Sequence, residues 1–190
     1  DGTTADTGAD GGEYEDRPSG DTFVYQGGTL SNRVTGNVST EATKTWEAYA
    51  FQSEFDDVTV VLKLQSRLVG SSSEEDWEDA LRGGSVVTET LDSFTAENLA
   101  AVTVDESMPK YDALGRELEY RWVESAVYQG EDSEDNLLGE DGYFTLTQDG
   151  RKVLYQSALT VTGDGTSENP FCTQITNSIA NTIDYDVEKI

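Results

Sequence analysis

EATKTWEAYA, residues 41–50, sets a lysine between two threonines in a stretch whose alternation reads as a β-strand. Alternate side chains of a strand share a face, so Lys44 points the same way as Ala42 and Trp46. The chain has five lysines against 38 acidic residues, and this pattern turns one of those five toward a core. The same period-two test, carried along the chain, decides both the fold class and the candidate chemistry.

DVTVVLKLQS (57–66) alternates Val58, Val60, Leu62 and Leu64 against Thr59, Val61 and Lys63. ELEYRWVES (117–125) carries Leu118, Tyr120 and Trp122 on one face and Glu117, Glu119 and Arg121 on the other. YFTLT (143–147) and KVLYQSALTV (152–161) flank QDGR, a hairpin-turn sequence, and TQITNSI (173–179) closes the set. Short alternating strands predict an all-β fold, a sandwich or barrel. SEEDWEDALRGG (73–84) is the one helical candidate, with an acidic first turn, Arg82 near its end and Gly83 as a stop signal. It would be an insertion in the β framework.

Composition bounds the rest. With 190 residues the chain can bury one large or two small cores. A net charge of −26 argues against nucleic acid, whose phosphates need clustered lysine and arginine. It fits a solubilising extracellular surface or adaptation to high salt. No run of about 18 apolar residues is present, so no helical membrane span is expected. Histidine is absent, and Cys172 is the single cysteine, so neither an intrachain disulfide nor a cysteine zinc cluster can form. No metal site or cofactor is expected. The opening Asp1-Gly2-Thr3 carries no signal peptide and reads as the middle of something longer. Residues 1–22, rich in Gly, Asp and Thr, read as a flexible acidic segment; their aspartate spacing misses the EF-hand pattern.

Two further strands repeat the oddity of Lys44. The face carrying Leu118, Tyr120 and Trp122 continues to Glu124, and the face carrying Phe171, Thr173 and Ile175 continues through Asn177 to Ile179. An amine, an acid and a carboxamide are the parts of one reaction. Burial disfavours the charged form of an amine and of a carboxyl group alike. A neutral Lys44 amine is a nucleophile that can attack Cγ of Asn177. Glu124 in its acid form would hydrogen-bond the amide oxygen and shuttle protons to the leaving ammonia. The product is a Lys44–Asn177 isopeptide bond, which removes a buried charge that would otherwise be costly.

VTVVLKLQ after TKTW, then MPKYDALGRELEYRWVESAV, then ITNSI, resembles the Cna B-type domain of Gram-positive surface proteins and pilins. The likeness covers roughly residues 40–180, and PKYDALGRELEY is its most specific piece. In that family a first-strand Lys joins a last-strand Asn with a Glu assisting, and the matching positions here are Lys44, Asn177 and Glu124. The resemblance implies an Ig-like β-sandwich over residues 39–183, with residues 184–190 a linker or the start of a following repeat. Two departures stand out: Trp122 replaces a smaller β-branched residue, and long insertions occupy residues 67–95 and 129–172.

Residues 23–38 read as a strand and linker, the end of a preceding repeat. Asn32 and Asn177 are 145 positions apart, as are Lys44 and Lys189, and LSNRVTGNVSTEATK aligns without gaps on ITNSIANTIDYDVEK. This spacing reads as a tandem-domain junction occurring twice. It also leaves open a rival pairing of Asn32 or Lys189 within this chain.

Two functional expectations follow. One is a structural stalk repeat of a secreted, cell-wall-anchored adhesin or pilus-like protein, with neighbouring domains as partners, anchored through regions outside this chain. Its only chemistry would be single-turnover self-crosslinking, not enzymatic turnover. The other is an adhesin module whose inserted loops bind host protein or carbohydrate, with Trp77 and Tyr128 as natural contacts. A glycoside-hydrolase reading fails for want of any spacing that singles out two carboxylates.

Overall fold

The computed structural model describes residues 23–26, 29–32, 34–47, 57–92, 94, 102–130, 134–148 and 150–180. The acidic segment 1–22 and residues 181–190, with Lys189, lie outside them. Among the described residues the fold is all-β, with thirteen strands and no α-helix. Strands β1 (Phe23–Gln26) and β2 (Thr29–Asn32) form a hairpin in which Asn32 pairs with Phe23.

Five strands make the larger sheet: β3 (Asn37–Glu47), β9 (Val102–Pro109), β11 (Tyr143–Gln148), β12 (Arg151–Thr162) and β13 (Phe171–Ile179). Their order is β11-β12-β13-β3-β9. Every pair is antiparallel except β13 with β3, which runs parallel. The first and last strands of this sheet are therefore direct neighbours, with Lys44 opposite Ile175 and Trp46 opposite Asn177. The β11–β12 hairpin turns through two residues, and Gly150 holds the positive φ of +73° that such a turn demands.

The second sheet centres on β4 (Val58–Leu68). Strand β10 (Leu118–Gln129) lies along one edge, while β5 (Glu78–Asp79) and β8 (Thr88–Leu91) share the other. Between them β6 (Leu81–Arg82) and β7 (Ser85–Val86) make a small hairpin.

Alternation produces the core. Val58, Val60, Leu62 and Leu64 of β4 are buried, as are Val38, Ala42 and Trp46 of β3, Trp122 of β10 and Ile175 of β13. These residues form one cluster shared by both sheets. Trp46 stands edge-on to Phe94, Phe144 and Tyr155, with centroids 5.6, 6.0 and 5.4 Å away, the arrangement that ring quadrupoles favour. Trp122 joins the sheets through polar contacts as well. Its backbone N–H donates to Thr173 Oγ1 at 2.9 Å, and its indole N–H donates to Thr40 Oγ1 at 3.2 Å.

The expected helix over 73–84 is corrected. Its start signal is real: Ser73 accepts from the Glu75 N–H, and Asp76 accepts from the Ser73 N–H. The structure stops after a single 3₁₀ turn, Glu74–Asp76, which buries no residue. A short helix gains its stability from burying a face, and this one has none to bury. Strand pairing wins instead: the Ala80 N–H donates to Leu64 O and the Leu64 N–H to Val87 O, each at 2.9 Å. Ala80 and Val87 are thereby buried against β4. Within residues 129–172 lie β11 and β12, the strands that alternation predicted over 143–147 and 152–161. Strand β9 had no counterpart among the sequence expectations.

Candidate functional site

The parallel pairing of β3 with β13 brings the amine and the carboxamide to one face, a diagonal step apart, because Lys44 lies opposite Ile175 and Asn177 follows two residues later. Strand β10 crosses that face from the other sheet and delivers Glu124. Sequence alternation named these three positions, and the structure brings all three together. The Lys44 and Asn177 residues are fully buried, and the Glu124 side chain is 1% exposed.

One oxygen meets both nitrogens. Glu124 Oε1 lies 3.3 Å from Lys44 Nζ and accepts a 3.0 Å hydrogen bond from Asn177 Nδ2. The lysine contact is ionic in distance, but its geometry falls short of a hydrogen bond. Glu124 Oε2 and Asn177 Oδ1 are likewise buried without a hydrogen-bond partner. Each such atom costs on the order of 1–3 kcal/mol, more where charge is involved. The Trp46 ring centroid is 4.9 Å from Nζ, giving the cation one aromatic face.

Burial pushes the Lys44 amine down from its ordinary value to about 8, against the opposing pull of the Glu124 carboxylate. The neutral, nucleophilic form is thus populated near physiological pH. The sequence had Glu124 bonding the amide oxygen; in the structure it accepts from the amide nitrogen. The N–H side of the carboxamide, not its oxygen, is thus the side that meets Glu124.

Two features near Glu124 escaped the sequence reading. Register passes from Glu124↔Leu62 to Ala126↔Val61, leaving Ser125 as an unpaired bulge residue whose hydroxyl donates to Val61 O at 3.1 Å. The signal was there in the broken alternation: Ala126 and Val127 are adjacent and both buried. A cleft of about 230 Å³ also borders Glu124, lined by Val123, Leu138, Gly139, Ser157 and Leu159 among others.

Other singled-out residues sit apart from this cluster. Trp77 rests against the Arg67 and Arg121 guanidiniums, each 4.3 Å from its ring centroid. Its surface packs on the chain's own cations. Tyr128 is half-buried, and Cys172 is a half-buried free thiol. Among the described residues no cluster of His, Cys, Asp or Glu could hold a metal ion, and no helix is long and apolar enough to cross a membrane. Compared with known protein families, curated proteins and solved structures, the chain matches none.

Proposed function

We propose that this chain is a structural repeat of a bacterial cell-surface adhesin or pilus-like protein, of the Cna B type that its sequence resembles. In this reading an autocatalytic Lys44–Asn177 isopeptide bond, assisted by Glu124, stiffens the repeat. One observation carries the reading: an amine, a carboxyl and a carboxamide from three strands meet in the core, with Glu124 Oε1 touching both the attacking and the leaving nitrogen.

The chemistry follows from that bridging oxygen. Glu124 takes a proton from the Lys44 ammonium, and the amine attacks Cγ of Asn177. The acid now carries an O–H, for which the unpartnered Asn177 Oδ1 is an acceptor a half-turn of the amide away; that bond would stabilise the developing oxyanion. The Nζ–Cγ bond forms and the Cγ–Nδ2 bond breaks. Two protons pass in turn from Nζ through Glu124 to the departing nitrogen, which leaves as ammonium and restores the carboxylate. The cleft beside Glu124 offers the departing ion a path. Buried polar atoms without partners make the starting state costly, and the amide product relieves it.

Topology supports a mechanical role. Tension entering along β3 reaches Lys44, crosses to Asn177 and leaves along β13. The 132 residues from 45 to 176 are then bypassed. A disulfide-free chain outside the cell, anchored to the wall through other regions, gains strength that hydrogen bonds alone do not supply.

Intact mass tests this directly. The unaltered protein is expected to be lighter than its sequence by one ammonia. Glu124→Gln, which keeps the shape and loses the proton carrier, should slow bond formation by roughly 10²–10⁴-fold and retain the full mass. Full mass in the unaltered protein would sink the proposal.

A further inference from the structure

Glu124 can serve two nitrogens only if its carboxylate is aimed to within a fraction of an ångström, and what aims it is the bulge that follows. A bulge bends its strand and increases the local twist, so the position of Ser125 governs the direction of the side chain before it. On the β4 side the bulge is held by the Ser125 hydroxyl on Val61 O. On the open side of β10, among the described residues, it is held by Asn136 from the connection to β11. Asn136 Oδ1 accepts from the Val127 N–H and the Leu138 N–H, each at 3.0 Å, and Asn136 Nδ2 donates to Ser125 O at 3.3 Å. The Leu137 N–H adds a bond to Val127 O at 2.8 Å. One carboxamide thus spans the two backbone groups on either side of Ala126, immediately after Glu124.

We propose that Asn136 is a positioning residue for crosslink formation: it clamps the Ser125 bulge and thereby keeps Glu124 directed at Lys44 and Asn177. This rests on the crosslinking reading above and extends it to a segment that the sequence left without a role. The neighbouring residues Leu138 and Gly139 line a cleft together with Glu124, so the clamp lies in a stretch that also packs beside this part of β10. Asn136 touches none of the reacting atoms; it acts through the backbone.

The test measures the rate of ammonia loss by mass in newly synthesised full-length chain. Misplacing a reacting group by about an ångström can cost on the order of a hundredfold. Asn136→Ala is expected to slow crosslinking by roughly tenfold to a hundredfold. Asp112→Ala is the control. It removes bonds that Asp112 accepts from the Leu114 and Arg116 N–H groups in a different turn, and it should leave the rate unchanged. An Asn136→Ala rate within twofold of the unaltered protein, or an equal slowing by Asp112→Ala, overturns the proposal. If Asn136→Ala does not fold, Ser125→Ala loosens the same bulge from its other side and faces the same two outcomes.

A second readout does not depend on the bond. In an Asn177→Ala background the Lys44 titration, followed by side-chain nitrogen NMR, should move down when Asn136→Ala is added, because a displaced Glu124 no longer holds it up. An unchanged titration counts against the clamp. Should the unaltered protein keep its ammonia, the crosslinking reading fails and this titration alone decides the role of Asn136.

Discussion

Arg121 and Glu124 lie three residues apart on β10 and face opposite sides of its sheet. On the outer side, Arg121 pairs with Glu74 at 2.7 Å and Arg67 with Glu119 at 2.6 Å, and both guanidiniums stack on Trp77. Every charge there has a partner and a share of water. On the inner side, Lys44 and Glu124 meet each other, an amide and the Trp46 ring, with three polar atoms left without hydrogen bonds. The outer cluster is at rest, and the inner one has a reason to react. Charges of the same kind, on one strand, differ because water can screen one set and not the other.

The largest effect that separates the two faces comes from Asn177→Ala. If the proposed crosslink forms, losing it restores the conformational freedom of a closed loop of more than 100 residues, which by analogy with disulfides is about 5 kcal/mol. Denaturant melts of the full-mass variant should show a loss of at least that size. A loss no larger than that of an ordinary surface substitution would erase the distinction between the faces.

A smaller effect is a pH slope in that same variant. The buried Lys44 amine sits at about 8 when folded and near 10.4 when unfolded. Between these values the unfolded chain holds a proton that the folded chain has released. Stability therefore rises with pH, by about 2 kcal/mol from pH 8 to pH 10. Tyr120 and Tyr155, pushed up to about 12 by burial, act in the opposite sense, because above pH 10 the unfolded chain ionises first. The measurement belongs below that point. In the crosslinked protein Lys44 is an amide and this slope is absent; a slope of equal size in both proteins would show that Lys44 is not its source.

The smallest effect is on the outer face. Trp77→Ala removes two cation–π contacts and should cost about 1–2 kcal/mol, with the mass still short by one ammonia. Thermal melts with intact mass check both halves. A variant that lost the crosslink would reveal coupling between faces that the geometry does not suggest.

Lys44, Glu124 and Asn177 were legible because a strand writes its two faces into alternate letters, and each polar residue interrupts an apolar series. The turn before β12 was legible from Asp149-Gly150 for a similar reason. The helix over 73–84 misled because capping letters announce a start, while its continuation depends on a face to bury; β4 offered Ala80 and Val87 a better place. Asn136 stayed hidden because its partners are backbone groups of Ser125, Val127 and Leu138, which no side-chain pattern records. Strand β9 hid among acidic residues: Asp105 and Glu106 interrupt the series running from Val104 to Met108.

The contact between Nζ of Lys44 and the Trp46 ring has an optical consequence. Converting the ammonium to a neutral amide takes a full positive charge away from an indole at 4.9 Å, and indole emission responds to a charge that close. On the crosslinking proposal, fluorescence from Trp46 would therefore change as the bond forms and give an internal clock for that step.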